Sequence, residues 1–136
     1  MTPETISLIE TSFQALGPRA AELTPVFYER LFEAAPGVRP LFPEDISKQA
    51  MKLADTLSVV VRHIRALDTV APALMEMGAR HARYGAIPEH YPVVRDTLLG
   101  ALAELSGDAW DQQTEDAWFE ALTLISDTML SGVSSR

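Results

Sequence analysis

Three imidazoles, His63, His81 and His90, are the side chains of this sequence best suited to hold a transition metal, because a neutral ring offers a nitrogen lone pair at physiological pH. None stands at a zinc-type spacing from another histidine or a carboxylate, and with no cysteine in the chain no thiolate can complete such a site. His81 is set apart by its company. Leu74, Met77, Gly78 and His81 fall at i, i+3, i+4 and i+7 and share one helical face. An apolar stripe with one small residue and one imidazole can lie against a flat apolar plate. It can equally be the buried face of a core helix with His81 at its end, where the helix dipole favours the protonated ring.

Two polar groups interrupt other apolar stripes. Tyr28 sits among Leu23, Phe27, Leu31 and Phe32, and Gln49 shares a helical face with Leu53, Thr56, Leu57 and Val60. A buried phenol or amide needs a hydrogen-bond partner. Pattern alone favours the ordinary alternative, in which Tyr28 reaches the surface and Gln49 is solvated in the first turn of its helix. No Ser-His-Asp order, Gly-rich phosphate loop or H-E-x-x-H helix is present. Acid pairs such as Glu4 with Glu10, or Glu115 with Asp116, read as solvated helix faces.

The elements that must position these groups are helical throughout. Thr2-Pro3-Glu4 supplies a cap, a first-turn proline and an acid. Ile6, Ile9, Phe13 and Leu16 follow at helical spacing until Gly17-Pro18 interrupts them. A second helix carries Leu23 to Phe32, with Pro25 marking a kink or a later start. Pro36, Gly37, Pro40 and Pro43 predict a turn or 3₁₀ stretch around Leu41-Phe42. The next helix is expected from about Ile46 to Ala66, and another from a cap at Asp68-Thr69 to Tyr84-Gly85. Pro88-Glu89 opens a helix through Leu98 and Leu105. The last runs from about Ala109 to Leu130, and 131–136 form a loose tail. The fold class is therefore all-α, with about six to seven helices and no strand pattern.

The 136 residues suit one domain, 1–136, and 47% hydrophobic with 22% charged residues makes it globular rather than disordered. A formal charge of −8 argues against nucleic acid and against anionic membranes. Met1-Thr2-Pro3-Glu4 lacks the basic and apolar regions of a signal peptide, and no apolar run approaches a membrane span. A cytoplasmic location is expected.

Several segments, taken together and in order, resemble the bacterial single-domain haemoglobins and the globin half of flavohaemoglobins. They are Phe27-Tyr28-Glu29-Arg30-Leu31-Phe32, Val38-Arg39-Pro40-Leu41-Phe42, Lys48-Gln49 with Lys52-Leu53, Arg80-His81-Ala82-Arg83-Tyr84-Gly85, Pro88-Glu89-His90-Tyr91-Pro92-Val93-Val94, and Asp116-Ala117-Trp118. The resemblance spans nearly the whole chain and implies a globin fold enclosing haem b (iron protoporphyrin IX). It implies that His81 is the proximal iron ligand and that Tyr28 and Gln49 lie on the gas-binding face, with Leu53 over the iron. Phe42 would stack on the haem edge. Lys52 would meet a propionate, with Lys48 or Arg80 assisting. Tyr91 would sit near the proximal histidine, and Met77, Ile87 and Val93 would wall the pocket. A carbonyl near Met77, or Tyr91, would take the other ring proton of His81. His63, roughly 21 Å along the helix from Gln49, is too far to reach the iron.

One departure is Val133, which stands where many relatives carry a glutamate that bonds to the tyrosine matching Tyr91 and strengthens the proximal histidine. The chain also ends where a flavohaemoglobin continues into flavin and nicotinamide domains, so an external reductase is expected for any turnover. The resemblance implies reversible binding of dioxygen, with nitric oxide and carbon monoxide as further ligands. Nitric oxide dioxygenation, gas sensing through a partner, and a cofactor-free helical interaction module are the alternatives.

Overall fold

Prolines, glycines and one aspartate place most of the helix boundaries. The computed structural model describes residues 1–134. Helix α1 (Pro3–Leu16) starts where the Thr2 hydroxyl accepts the Thr5 amide at 3.1 Å, and stops at Gly17, whose φ of 52° suits glycine. Residues Gly17–Glu22 form a 3₁₀ turn that absorbs Pro18. Helix α2 (Leu23–Ala34) has Pro25 in its first turn, so the proline marks a later start and no kink. The 3₁₀ segment Pro36–Leu41 follows where proline and glycine crowd.

Helix α3 (Ser47–Arg62) is shorter than its periodicity predicts. His63 leaves helical geometry, and a 3₁₀ segment Ile64–Thr69 bends at Ala66 (φ −146°, ψ 57°). Apolar spacing carries on through this bend because Ile64 and Leu67 still face the core. The expected cap at Asp68-Thr69 does not form, since the Thr69 hydroxyl donates backwards to the Ala66 carbonyl at 2.7 Å. Helix α4 (Ala71–Arg83) instead starts after Val70, with Pro72 in its first turn. Helix α5 (His90–Ser106) ends at Gly107, φ 59°. Helix α6 (Gln112–Ser134) begins three residues later than expected from Ala109, because the Asp111 carboxylate accepts the Thr114 amide at 2.8 Å. It continues into the segment read as a loose tail; residues 135–136 lie outside the described residues. The described residues thus comprise six α-helices and four 3₁₀ segments without a strand, and none of their helices is long and apolar enough to cross a membrane.

Helices α1, α2, α5 and α6 enclose the larger core, which includes Ile9, Phe27, Leu31, Leu102 and Trp118. The Trp118 indole N–H donates to Ser12 Oγ at 2.8 Å, so this largest buried side chain carries no unpaired donor. A second, smaller cluster of Val60, Leu74 and Met129 forms between α3, α4 and α6. Helices α4 and α6 make the closest crossing in the molecule. A β-carbon on Gly78 would lie 2.0 Å from the Met129 carbonyl oxygen, and one on Gly132 would lie 2.1 Å from that of Met75. Each glycine therefore admits the other helix's backbone. Helix α3 is held by α2 and α1, whereas α4 is held by α6 and the bend before it; α3 and α4 themselves hardly meet.

Candidate functional site

Helices α3 and α4 share few contacts, and each carries candidate side chains. On α4, His81 is exposed and its Nδ1 lies 2.7 Å from the Met77 carbonyl oxygen, one turn back. A carbonyl can only accept, so Nδ1 carries a proton, and in the neutral ring Nε2 keeps its lone pair. The ring is thereby fixed in the tautomer that a metal requires. His63 makes the same bond to Val59 at 2.8 Å, but at the exposed C-terminal end of α3. His90 Nδ1 accepts the Ile87 amide at 3.2 Å, which serves the turn leading into α5. Among the described residues no three histidines or carboxylates gather as a metal cluster, so any metal held here would rest on a single side chain plus its own cofactor.

The stripe that drew attention to His81 divides between two tasks. Leu74 and Gly78 face α6, Leu74 inside the small cluster and Gly78 against Met129. The small residue serves the helix crossing and is not part of a flat pocket wall. Met77 is half-buried and packs on the same small cluster, as does Tyr91. The Tyr91 hydroxyl is sealed from solvent without a partner, and burial raises its pKa. Val133, half-buried on α6, offers that hydroxyl no carboxylate.

On α2, Tyr28 is only 6% exposed, which overturns the surface placement that pattern alone favours. Its ring packs against Phe27 (4.9 Å between centroids), Phe42 (5.7 Å) and Phe32 (5.8 Å). Burial pushes the phenol up to about 12, and its hydroxyl has no hydrogen-bond partner among the described residues. It is a neutral donor at any physiological pH. Gln49 does sit in the first turn of α3, but its Oε1 is buried and unpartnered instead of solvated. It makes no hydrogen bond to Tyr28. Leu53 packs on the large core.

Lys48, Lys52 and Arg80 are exposed and form no ion pair among the described residues. Ile87 and Val93 are apolar and exposed, as is Leu41. The Leu41 side chain lies 3.1 Å from where a β-carbon of Gly85 would sit, and so joins the segment before α3 to the end of α4. Pattern reading missed this contact, the Gly132 crossing and the role of Arg39, which donates to the backbone carbonyls of Phe42, Pro43 and Glu44. The signal for Arg39 lay in Pro40 and Pro43, which strip that segment of amide donors.

The arrangement fits a haem. Gln49 Oε1 and Tyr91 OH are buried without a protein partner, as is Thr123 Oγ1 on α6, where native interiors leave few such groups, and the Tyr28 hydroxyl makes no protein hydrogen bond. His81, like His63, is held through Nδ1 in a tautomer that can ligate a metal, and Lys48, Lys52 and Arg80 form no ion pair among the described residues.

Comparison with known proteins agrees. The Globin family model matches residues 26–129. The flavohemoprotein of Halalkalibacterium halodurans is 29% identical over 133 residues, which is 96% of this chain. This chain spans about one third of the length of such flavohemoproteins. The structure of a bacterial globin from Campylobacter jejuni superposes with a TM-score of 0.86 at 26% identity, covering 98% of this chain and 97% of that one. A carbene transferase engineered from a proposed nitric oxide dioxygenase of Rhodothermus marinus also gives 0.86, at 27% identity, covering 100% and 99%.

Proposed function

Since this chain belongs to the globin family, we propose that it binds haem b with His81 as the proximal ligand, and that it holds dioxygen reversibly on the face lined by Tyr28, Gln49 and Leu53. The observation that carries this reading is the His81 ring, tied through Nδ1 to the Met77 carbonyl with Nε2 left free. When bound, ferrous haem supplies an open coordination position for a diatomic gas. The chain's own residues set what that position favours. Tyr28, un-ionised to about pH 12, offers an O–H to a gas that takes on negative charge. The Gln49 amide offers a second polar group. Dioxygen accepts such bonds more strongly than carbon monoxide does. Phe42, Met77, Ile87, Tyr91 and Val93 exclude water from the plate, while Lys52, with Lys48 or Arg80, answers its carboxylates.

A charge-assisted hydrogen bond contributes about 1.5–3 kcal/mol, so Tyr28→Phe is expected to raise the oxygen dissociation rate roughly 10- to 100-fold. The carbon monoxide rate should move far less. Equal small changes in both rates would remove Tyr28 as the donor. His81→Ala is expected to abolish the ferrous haem spectrum, and an unchanged spectrum would remove His81 as the ligand.

Nitric oxide dioxygenation is the second reading, favoured by the relationship to flavohemoproteins and to the Rhodothermus marinus protein. Nitric oxide, dioxygen and one electron together give nitrate, so this reading requires a reductase partner in a reducing compartment such as the cytoplasm. Nitrate formation during continuous reduction, measured by stopped flow, separates it from storage.

A further inference from the structure

The chain between Leu41 and α3 makes few backbone hydrogen bonds of its own. Pro40 and Pro43 have no N–H, and the Ser47 amide bonds to the Asp45 carboxylate at 3.0 Å. The three carbonyls of Phe42, Pro43 and Glu44 are all taken by one guanidinium. Arg39 Nη1 donates to Phe42 O (3.3 Å) and Pro43 O (2.9 Å), and Nη2 donates to Glu44 O (2.9 Å). The same planar group lies over the Phe32 ring, with Cζ 4.8 Å from the centroid. Phe32 and Phe42 meet edge-to-face at 5.4 Å, and both pack on Tyr28. In a chain of charge −8, Arg39 makes no ion pair among the described residues.

The Tyr28 hydroxyl has no protein hydrogen bond, so its position is set by packing, to which the three rings around it contribute. Two of those three rings are held by Arg39, one through its backbone carbonyl and one through its face. We propose that Arg39 is a positioning residue for gas discrimination: it locks Phe42 and Phe32 so that the Tyr28 hydroxyl is presented at one fixed place in the pocket. This rests on the gas-binding reading above. Lysine cannot substitute, because one ammonium neither spans three carbonyls nor stacks on Phe32.

The test uses the full chain loaded with haem, comparing Arg39→Lys, Arg39→Met, Tyr28→Phe and the Arg39→Met/Tyr28→Phe double variant. Both arginine variants are expected to keep far-ultraviolet circular dichroism and haem uptake. They should raise the oxygen dissociation rate roughly 3- to 10-fold, up to the worth of one misaligned hydrogen bond, with carbon monoxide little changed. The single C–O stretching band of the carbon monoxide form should split or broaden. In haem-free protein the near-ultraviolet dichroism of the aromatic cluster should weaken. The double variant should release oxygen no faster than Tyr28→Phe alone, because both changes act through one hydroxyl. If Tyr28→Phe acts on oxygen while both arginine variants leave the rates and band unchanged, or if their effects add, the positioning role is overturned and the gas-site reading stands. If Tyr28→Phe itself has no oxygen-selective effect, the gas-site reading falls first.

Discussion

Helix α4 has two sides built on opposite principles. Against α6 it is closed to the backbone: Gly78 meets the Met129 carbonyl and Gly132 meets that of Met75, with no room for a methyl group on either helix. Towards α3 its contacts are few beyond Leu74 beside Val60, and polar groups there and nearby lack partners: His81 is exposed, the Tyr28 hydroxyl makes no protein hydrogen bond, and the Gln49 and Tyr91 polar atoms are buried and unpaired. The difference teaches that the first side makes the second tenable. A helix that could slide would collapse onto α3 and pair those groups, since each buried unpaired polar atom costs about 1–3 kcal/mol. The backbone-to-backbone seat on α6 fixes where α4, and with it His81, can stand.

The largest test of this contrast is Gly78→Ala. The new methyl group would overlap a backbone oxygen that no rotamer change can move, so a loss of about 3 kcal/mol or more in unfolding free energy is expected. Denaturant titration of the haem-free protein measures it. A loss below about 0.5 kcal/mol, the usual range for an unconstrained surface site, would mean that the seam is not rigid.

On the open side the sign should reverse. Gln49→Leu and Tyr91→Phe each remove an unpaired buried oxygen, so the haem-free protein should gain up to about 1 kcal/mol, while Gln49→Leu in the loaded protein should release oxygen faster. Destabilisation of the haem-free form by either change would show that these oxygens are already paired, and would erase the contrast.

The smallest effect concerns pH. The Tyr28 phenol is pushed up to about 12 from its ordinary 10.0 by burial. A raised pKa means that the folded protein favours the protonated form. Its contribution to stability is complete below the unfolded value of 10.0 and is lost as pH rises through about 12. Between about pH 6 and 9 the Tyr28-dependent part of oxygen retention should therefore be flat. A titration of that part within this range would show that the hydroxyl is less shielded than its packing indicates.

Much of this was legible locally. Thr2-Pro3, Gly17, the proline-rich stretch before α3 and Gly107 act within a few residues of themselves, through a cap, a fixed φ or a left-handed turn, and the structure places boundaries at each. The end of α3 was not legible, because Ile64 and Leu67 keep apolar spacing through a bend that only their φ and ψ reveal. Nor was the start of α4, where the Thr69 hydroxyl had two backbone choices and took the one behind it. Of the candidate site, His81 and its Met77 carbonyl lie one helical turn apart and so could be read together. Tyr28 and Gln49 could not be placed from spacing, because burial depends on residues far away in the chain, such as Phe42 beside Tyr28.

By itself the sequence determined an all-helical chain, its residue types and the local geometry of one imidazole, because hydrogen bonds along a helix reach only three or four residues. Only the tertiary structure decided that Gly78 serves a helix crossing, that Arg39 ties three carbonyls to an aromatic cluster, and that α3 and α4 stand apart. Those outcomes depend on which distant surface covers which face, and helical periodicity is blind to the identity of the neighbour.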